Sequence, residues 1–97
     1  MIIPDKIKIG AREIRVLEVE HLSDDEDRWG DYSARTGAIR IDASIPDDMK
    51  AETLLHEVCE AVSDIYALGL TENQVCTISA VLLAIARDNP GIWRGGG

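Results

Sequence analysis

The chain of 97 residues has a formal net charge of −8 and an isoelectric point of about 4.5. That length predicts a single domain over residues 1–97 with one hydrophobic core. The negative charge repels nucleic-acid phosphates and anionic membrane surfaces, so neither nucleic acid nor membrane is expected as a partner. With two Trp, two Tyr and no Phe, the core has to be built from aliphatic side chains.

The termini and the cysteines predict a cytoplasmic location. The amino-terminal residues do not combine a basic stretch with an apolar one, and no segment has the length and apolarity of a membrane span. Two cysteines, Cys59 and Cys76, are too few for a disulfide framework. Both fall in predicted helices, where Cys is usually a small buried side chain.

The first half of the chain alternates between apolar and polar residues, which predicts β-structure. Residues 5–21 alternate around Gly10 and predict a β-hairpin, with a bulge or register change at Val16-Leu17. Residues 22–36 predict a polar, acidic loop whose aromatic side chains, Trp29 and Tyr32, close over a core edge or a cleft. Residues 37–42 predict a third strand. The expected fold is α+β, with a small, mostly antiparallel sheet of about three strands followed by two helices.

The first predicted helix covers residues 46–68, with Pro46 in its first position and Gly69 as its carboxyl-terminal cap. On a helical wheel its apolar side chains share one broad arc, and its acids and His56 share the other. The predicted core takes residues from both helices and from the strands: Ile14, Val16, Ile39, Ile41, Leu55, Val58, Val62, Ile65, Ile78, Leu82 and Ile85.

The second predicted helix covers residues 71–88 and begins with a capping box formed by Thr71 and Gln74. It is apolar nearly all round, and a chain of this size has little core to cover such a helix. A homodimer is therefore one expectation. Residues 90–97 are expected to fray.

The segment His56-Glu57-Val58-Cys59-Glu60 carries the chemistry of the first helix. His56 and Glu60 lie four residues apart, so one ion could meet both an imidazole nitrogen and a carboxylate oxygen. Glu57 lies beside them and could take a proton without being a ligand. The alternative is an ordinary solvated helix face with a routine His–Glu pair. His21, the other histidine, is expected to face solvent at the end of a strand.

Nearly the whole chain, roughly residues 6–90, resembles a group of small zincin-like proteins encoded by phages and prophages. The resemblance is carried by the strand ending Ile39-Arg40-Ile41-Asp42, by Glu52-Thr53-Leu54-Leu55-His56-Glu57 and by the second helix ending Arg87-Asp88-Asn89-Pro90. That group is distantly similar to the ImmA/IrrE class of metallopeptidases. Its members commonly read HExxH, or HExxE followed by Ala, as in Glu60-Ala61 here. The resemblance implies a zincin-like fold, with His56 as the first zinc ligand and Glu57 as the general base.

Beyond His56 the sequence offers several candidate ligands, because this chain departs from HExxH at Glu60. A carboxylate ligand adds negative charge and makes the metal a poorer Lewis acid. Related proteins take a further ligand from the next helix, where Glu72, Cys76 and Ser79 share one face. Glu72 is the conventional ligand by type. Cys76 lies nearer the middle of the helix, where the similar proteins often carry an acid, and the alternative for Cys76 is plain helix packing. The candidate zinc ligands are thus His56, Glu60, Glu72 and Cys76.

Two functions remain open at this stage. The first is a zinc-dependent metallopeptidase, in which water activated at the metal attacks a peptide bond and Glu57 takes the proton. The second is a non-catalytic interaction protein that keeps the zincin scaffold without a competent metal site. Glu60, at the position where HExxH has its second histidine, favours this second function. A third hypothesis is an acidic decoy for a nucleic-acid-binding protein. The first function requires a protein or peptide substrate.

Overall fold

One four-stranded sheet, three helices and their connections make up residues 3–26 and 28–92, the part of the chain that the computed structural model describes. The predicted α+β class is confirmed. None of the helices in the described ranges combines the length and hydropathy that a membrane crossing requires. The elements are β1 (Lys6–Ile9), β2 (Arg12–Val19), α1 (Leu22–Glu26), β3 (Gly30–Ser33), β4 (Ala38–Asp42), α2 (Asp47–Ile65) and α3 (Glu72–Asp88).

The sheet is mixed, with the strand order β1-β2-β4-β3. β1 and β2 form the predicted antiparallel hairpin around Gly10, whose φ of +60° suits a tight turn. β3 is antiparallel to β4, and β2 is parallel to β4. The parallel pair arises because β3 reverses the chain between β2 and β4. No bulge occurs at the predicted position: β2 is continuous, and Leu17 pairs with Arg40 on the outer face.

The fourth strand, β3, lies in the segment predicted to be a loop, so the sheet has one strand more than the three or so expected. Two of its three strand pairs are antiparallel, and the β2–β4 pair is parallel. α1 also falls in that segment. β3 reads Gly30-Asp31-Tyr32-Ser33 and has no aliphatic residue to reveal its alternation. Gly30 and Tyr32 pair with Ile41 and Ile39 of the core face, so the alternation is present but carried by a glycine and a tyrosine.

The core lies between the sheet and α2. Ile14, Ile39 and Ile41 are fully buried and Val16 is 6% exposed, as predicted. On α2 the buried leucine is Leu54 rather than the predicted Leu55, which is half-buried. The predicted helix residues Val58, Val62 and Ile65 are half-buried and pack against the core cluster, and Leu82 and Ile85 are half-buried. Ile78 was expected in the core but is 39% exposed, because α3 is buried through Val75, Ser79 and Leu83.

α2 ends earlier than predicted, at Ile65, and Gly69 is not its cap. Ala67 takes the left-handed position, with φ of +54°. The Leu68 amide donates to the Ser63 carbonyl at 2.8 Å and the Ala67 amide to the Asp64 carbonyl at 3.2 Å. This pair of bonds is a Schellman motif with alanine where glycine is usual. Gly69 is also left-handed, two residues further on, with φ of +64°.

Replacing Ala67 by Gly is expected to stabilise the protein. The left-handed conformation costs an L-residue about 1–2 kcal/mol, whereas the added freedom of Gly in the unfolded chain costs about 0.4–1 kcal/mol. The expected net gain is about 0.5–1 kcal/mol in the free energy of unfolding, measured by urea denaturation. Gly69→Ala makes the opposite change at another left-handed position. A Cβ there meets nothing within 4 Å, so only the strain of the backbone acts. Equal effects of the two changes would contradict this account of the helix end.

Asp42 holds the end of β4 to the segments on either side of it. Its carboxylate is fully buried and accepts hydrogen bonds from the Ser23 amide and the Ser44 amide, both at 2.7 Å, and from the Ser44 hydroxyl. These hydrogen bonds hold the pKa of Asp42 well below its usual range. The carboxylate therefore connects the start of α1, the end of β4 and the loop into α2.

The stability that Asp42 contributes is expected to depend on pH. Because its pKa is lower in the folded state, the contribution is complete above the unfolded-state pKa of about 3.9 and is lost as the pH falls toward the folded-state value. Asp42→Asn cannot titrate, and its amide nitrogen meets an N–H donor. The variant should lose stability at pH 7, and the difference from wild type should shrink below about pH 4. Urea denaturation across this range measures it, and a difference that stays constant with pH would exclude the ionised carboxylate as its cause.

Candidate metal centre

His56 lies in the middle of α2 and faces a group of carboxylates. Its Nε2 atom is 3.2 Å from Glu72 Oε1, 3.8 Å from Glu60 Oε1 and 4.0 Å from Glu57 Oε2. Glu60 is close because it follows His56 by one helical turn. Glu72 belongs to α3, so the histidine bridges the two helices.

α3 adds a sulfur donor to this group. The predicted capping box is present: the Gln74 amide donates to the Thr71 hydroxyl at 3.1 Å, and the Thr71 amide donates to the Gln74 side chain at 2.9 Å. The helix thus begins at Glu72, and Cys76 follows one turn later on the same face. Cys76 Sγ lies 3.9 Å from His56 Nδ1 and 3.7 Å from Glu72 Oε1.

Three side chains offer donor atoms around one point. One ligand atom each from His56, Glu72 and Cys76 lies within 4.8 Å of the other two. The three bring an imidazole nitrogen, a carboxylate oxygen and a thiol sulfur. Glu72 and Cys76 are exposed and His56 is half-buried, so the point is accessible from solvent.

Glu57 differs from the other acids because it is buried, with 8% exposure. The wheel placed it on the solvated arc of the helix, but β3 covers the part of that arc around Glu57. Gly30 of β3 comes so close that a Cβ on it would lie 2.5 Å from Thr53 Cγ2 and 3.5 Å from Glu57 Cγ. The bare backbone of Gly30 therefore lets the strand approach the helix.

A pocket of about 240 Å³ opens beside His56 and Glu57. The edge of β3, the first turns of α2 and one face of α3 form its walls. Trp29, the residue before β3, is 53% exposed and gives one wall an aromatic surface. No Lys or Arg is among the lining residues, which are Trp29, Gly30, Met49, Glu52, Thr53, His56, Glu57, Cys76 and Ser79.

The acids of this region raise one another's pKa values. Burial, followed by the charges of Glu60, Asp31 and Glu72, raises the pKa of Glu57 to about 7. Burial, together with a hydrogen bond to Glu72 and its charge, raises the pKa of Glu60. Burial and the charge of Glu72 also raise the pKa of the Cys76 thiol. Carboxyl groups that lie this close therefore oppose one another's ionisation.

The structure brings together the predicted residues of both helices. Glu72 and Cys76 lie nearer each other and His56 than the sequence could show, whereas Glu60 stands outside the group of three convergent donors. Cys76 is exposed, in contrast to the expectation of two buried cysteines, and only Cys59 is buried. His21 is exposed after β2, as predicted, and contacts Asp24 at 3.1 Å.

Sequence reasoning missed several of the residues that line the pocket. Gly30 has no side chain, so no pattern marked it. Met49 and Thr53 seemed to be ordinary residues of the first helix. Trp29 carried a signal, since an aromatic residue in a polar loop predicted that it would close over a core edge or a cleft, and Trp29 does line the pocket.

Comparisons of the chain with protein-family models, with curated protein sequences and with solved structures gave no significant match. The resemblance to small zincin-like proteins stays a prediction.

Gly30→Ala is expected to destabilise the protein and disturb the pocket. The new Cβ would lie 2.5 Å from Thr53 Cγ2 and 2.8 Å from the Arg40 carbonyl oxygen, so strand or helix has to shift. Overpacking of this kind costs about 1–3 kcal/mol. Gly91→Ala is the matched control, because a Cβ there meets nothing within 4 Å. Thermal and urea denaturation measure both, and an unaffected Gly30→Ala would mean that β3 does not lie this close to α2.

Proposed function

We propose that the chain is a zinc-dependent hydrolase that acts on a peptide bond. The observation that carries the proposal is the convergence of His56, Glu72 and Cys76 within 4.8 Å beside the buried carboxyl group of Glu57. Three donors of different type meet at one accessible point, and a candidate base that is not one of them lines the same pocket.

The donor set fits zinc better than the hard cations. Zinc accepts imidazole nitrogen, thiolate sulfur and carboxylate oxygen, whereas calcium and magnesium take oxygen ligands. Three protein ligands and an open position are typical of catalytic zinc sites. Glu60 lies within 3.8 Å of His56 and could supply a further oxygen. A reducing cytoplasm, predicted from the sequence, would keep Cys76 reduced and available as a zinc ligand.

The charge of the cluster also favours a cation. Glu57, Glu60 and Glu72 surround His56, and no Lys or Arg lines the adjacent pocket. A divalent cation among these groups would offset their mutual repulsion.

In the proposed reaction each residue has a separate task. Bound zinc would supply Lewis-acid activation of the carbonyl and of water. Glu57 would take the proton from the attacking water at Oε2 and return it to the departing amine, since it lies beside the convergent donors without being one of them. β3 and α2 exclude solvent from most of Glu57, which strengthens its electrostatic interactions with the reacting atoms. Trp29 and Met49 would contact apolar parts of the substrate.

A non-catalytic interaction protein on the same scaffold is the second candidate. The observation that favours it is the exposure of Glu72, whose side chain is 71% accessible and would have to be held in place by the metal itself. In that case the pocket would bind a partner's side chain and no hydrolysis would occur.

Calorimetric zinc titration of untagged, chelator-treated protein tests the metal site. Wild type is expected to bind one equivalent. His56→Ala and Cys76→Ser should each weaken binding by about 100-fold or more, since even outer-shell partners of a metal site cost 10–100-fold. His21→Ala is the matched control, because that histidine is exposed and outside the cluster. Equal, weak binding by all four proteins would end the metal proposal.

An assay of the hydrolysis of a random fluorogenic peptide mixture distinguishes the hydrolase from the interaction protein. Glu57→Gln should keep the zinc affinity and lose turnover by about 10²–10⁴-fold, because its role is proton transfer. A wild type that binds zinc tightly yet never cleaves any peptide, while Glu57→Gln binds alike, would support the interaction protein instead.

A further inference from the structure

The outer face of the sheet, on the side away from α2, carries a group of arginines in a chain that is acidic overall. Arg15 of β2 and Arg40 of β4 lie on this face, because the residues on either side of each of them are buried in the core. The strand register places Leu17 beside Arg40, so Arg15, two residues earlier, is a near neighbour of Arg40. A third arginine, Arg28, comes from the segment before β3 and lines the same cavity.

This cavity has a volume of about 520 Å³ and is open to solvent. Sites for small molecules commonly have volumes of about 300–1,000 Å³. Ser33 and Thr36 contribute hydroxyl groups at one side of the cavity. The Ser33 hydroxyl oxygen accepts a hydrogen bond from the Thr36 amide at 3.4 Å, so its own hydrogen can be donated to a ligand. Leu17, which is 38% exposed, adds an apolar surface beside the polar groups.

Positive charge exceeds negative charge in the cavity. Among the described residues that line it, Asp31 is the one acid. Arg40 donates from Nε to the Asp31 carboxylate at 2.9 Å, and Arg28 Nη1 lies 3.4 Å from the same group. The hydrogen bond from Arg40 and the charges of both arginines hold the pKa of Asp31 below its usual range, against the effect of burial. The guanidinium group of Arg15 forms no ion pair with any described residue.

The chemistry of these groups identifies the class of ligand. Guanidinium groups bind oxyanions through paired N–H donors, and hydroxyl groups add single donors. The three arginines belong to three separate segments of the chain. A tetrahedral phosphate can accept from several donors at once, and a phosphate monoester carries a charge of about −1.5 to −2 at pH 7. The excess of three guanidinium groups over one carboxylate suits that charge.

The acidity of the remaining chain limits the size of the ligand. The chain has a net charge of −8 although this cavity is positive. A long polyanion would extend beyond the arginines and meet the negative surface, whereas a compact anion stays within the screening distance of about 8 Å from them. The cavity therefore favours a small anion over a nucleic acid.

We propose that the arginine cavity on the outer face of the sheet binds a small organic phosphate monoester. Arg15 and Arg28 would contact the phosphate group, together with the hydroxyls of Ser33 and Thr36, while Leu17 would contact the organic part. Arg40 adds its charge and stays paired with Asp31. Because the cavity lies on the face of the sheet opposite the metal centre, this binding is independent of the proposed hydrolase.

Titration of the full, ¹⁵N-labelled chain with phenyl phosphate, followed by NMR at low ionic strength, tests the site. The buffer contains EDTA, so that no metal can hold the phosphate. The amide signals of residues 15–17 and 33–38 should shift, and those around His56 should not. Benzoate has the same ring with a single charge on a planar group, and it should bind more weakly. Absence of binding, shifts centred on α2 and α3, or equal affinity for benzoate would each overturn the proposal.

Two variants and a matched control locate the binding groups. Arg15→Gln and Arg28→Gln should each weaken the binding of phenyl phosphate by about tenfold or more, because each removes hydrogen bonds to a charged group. Arg87→Gln makes the same change in net charge at an exposed position of α3, outside the cavity, and should bind like wild type. The NMR spectrum of each variant shows whether it folds. Equal weakening by all three changes would mean that only the overall charge matters, and the assigned site would be wrong.

Discussion

The close approach of β3 to α2 is the contact on which the pocket and the burial of Glu57 depend. Gly30 permits it, because any Cβ there would overlap Thr53 and the Arg40 carbonyl. Tyr32 reinforces it by donating its hydroxyl to the Asp64 carboxylate of α2 at 2.9 Å. On the outer face, Asp31 forms an ion pair with Arg40 and fixes β3 to its neighbour β4. β3 is an edge strand of four residues. Strands this short depend on packing against other elements for their stability, and these contacts hold β3 on both of its faces.

This contact changes how much of the surface of α2 is buried. A helix that packs on a sheet through one arc normally leaves the opposite arc in water. Here β3 covers part of that arc, and α3 packs along another part, so the helix is enclosed on more sides than its amphipathic pattern implies. As a result, the carboxyl group of Glu57 is largely shielded from solvent. Its neighbours His56 and Glu60 stay near the surface, and the result is one buried carboxyl group beside several accessible donors.

The sequence predicted those parts of the molecule that are marked by alternating aliphatic residues or by capping residues. Ile14, Val16, Ile39 and Ile41 were found because they alternate, and the start of α3 was found because Thr71 and Gln74 satisfy each other's backbone. β3 could not be found in this way, since its inward positions are a glycine and a tyrosine. The end of α2 was misplaced for a similar reason: Gly69 has the residue type of a cap, but Ala67 occupies the capping position despite its positive φ. Local rules rank residue types, and both β3 and the end of α2 use less favoured ones.

The site shows the same division between local and long-range information. The spacing of His56 and Glu60 is visible in one helix, so the sequence made Glu60 the second ligand. The distance between His56 and Glu72 depends on how α3 returns along α2, through a loop that begins at the left-handed Ala67 and has the Leu70 amide bonded to the Ser63 hydroxyl at 2.9 Å. That loop sets the register of the two helices and hence places Glu72 at 3.2 Å from the imidazole. The short connection is therefore as important to the donor set as the motif, because a shift of α3 by one turn, about 5.4 Å, would remove both Glu72 and Cys76 from His56.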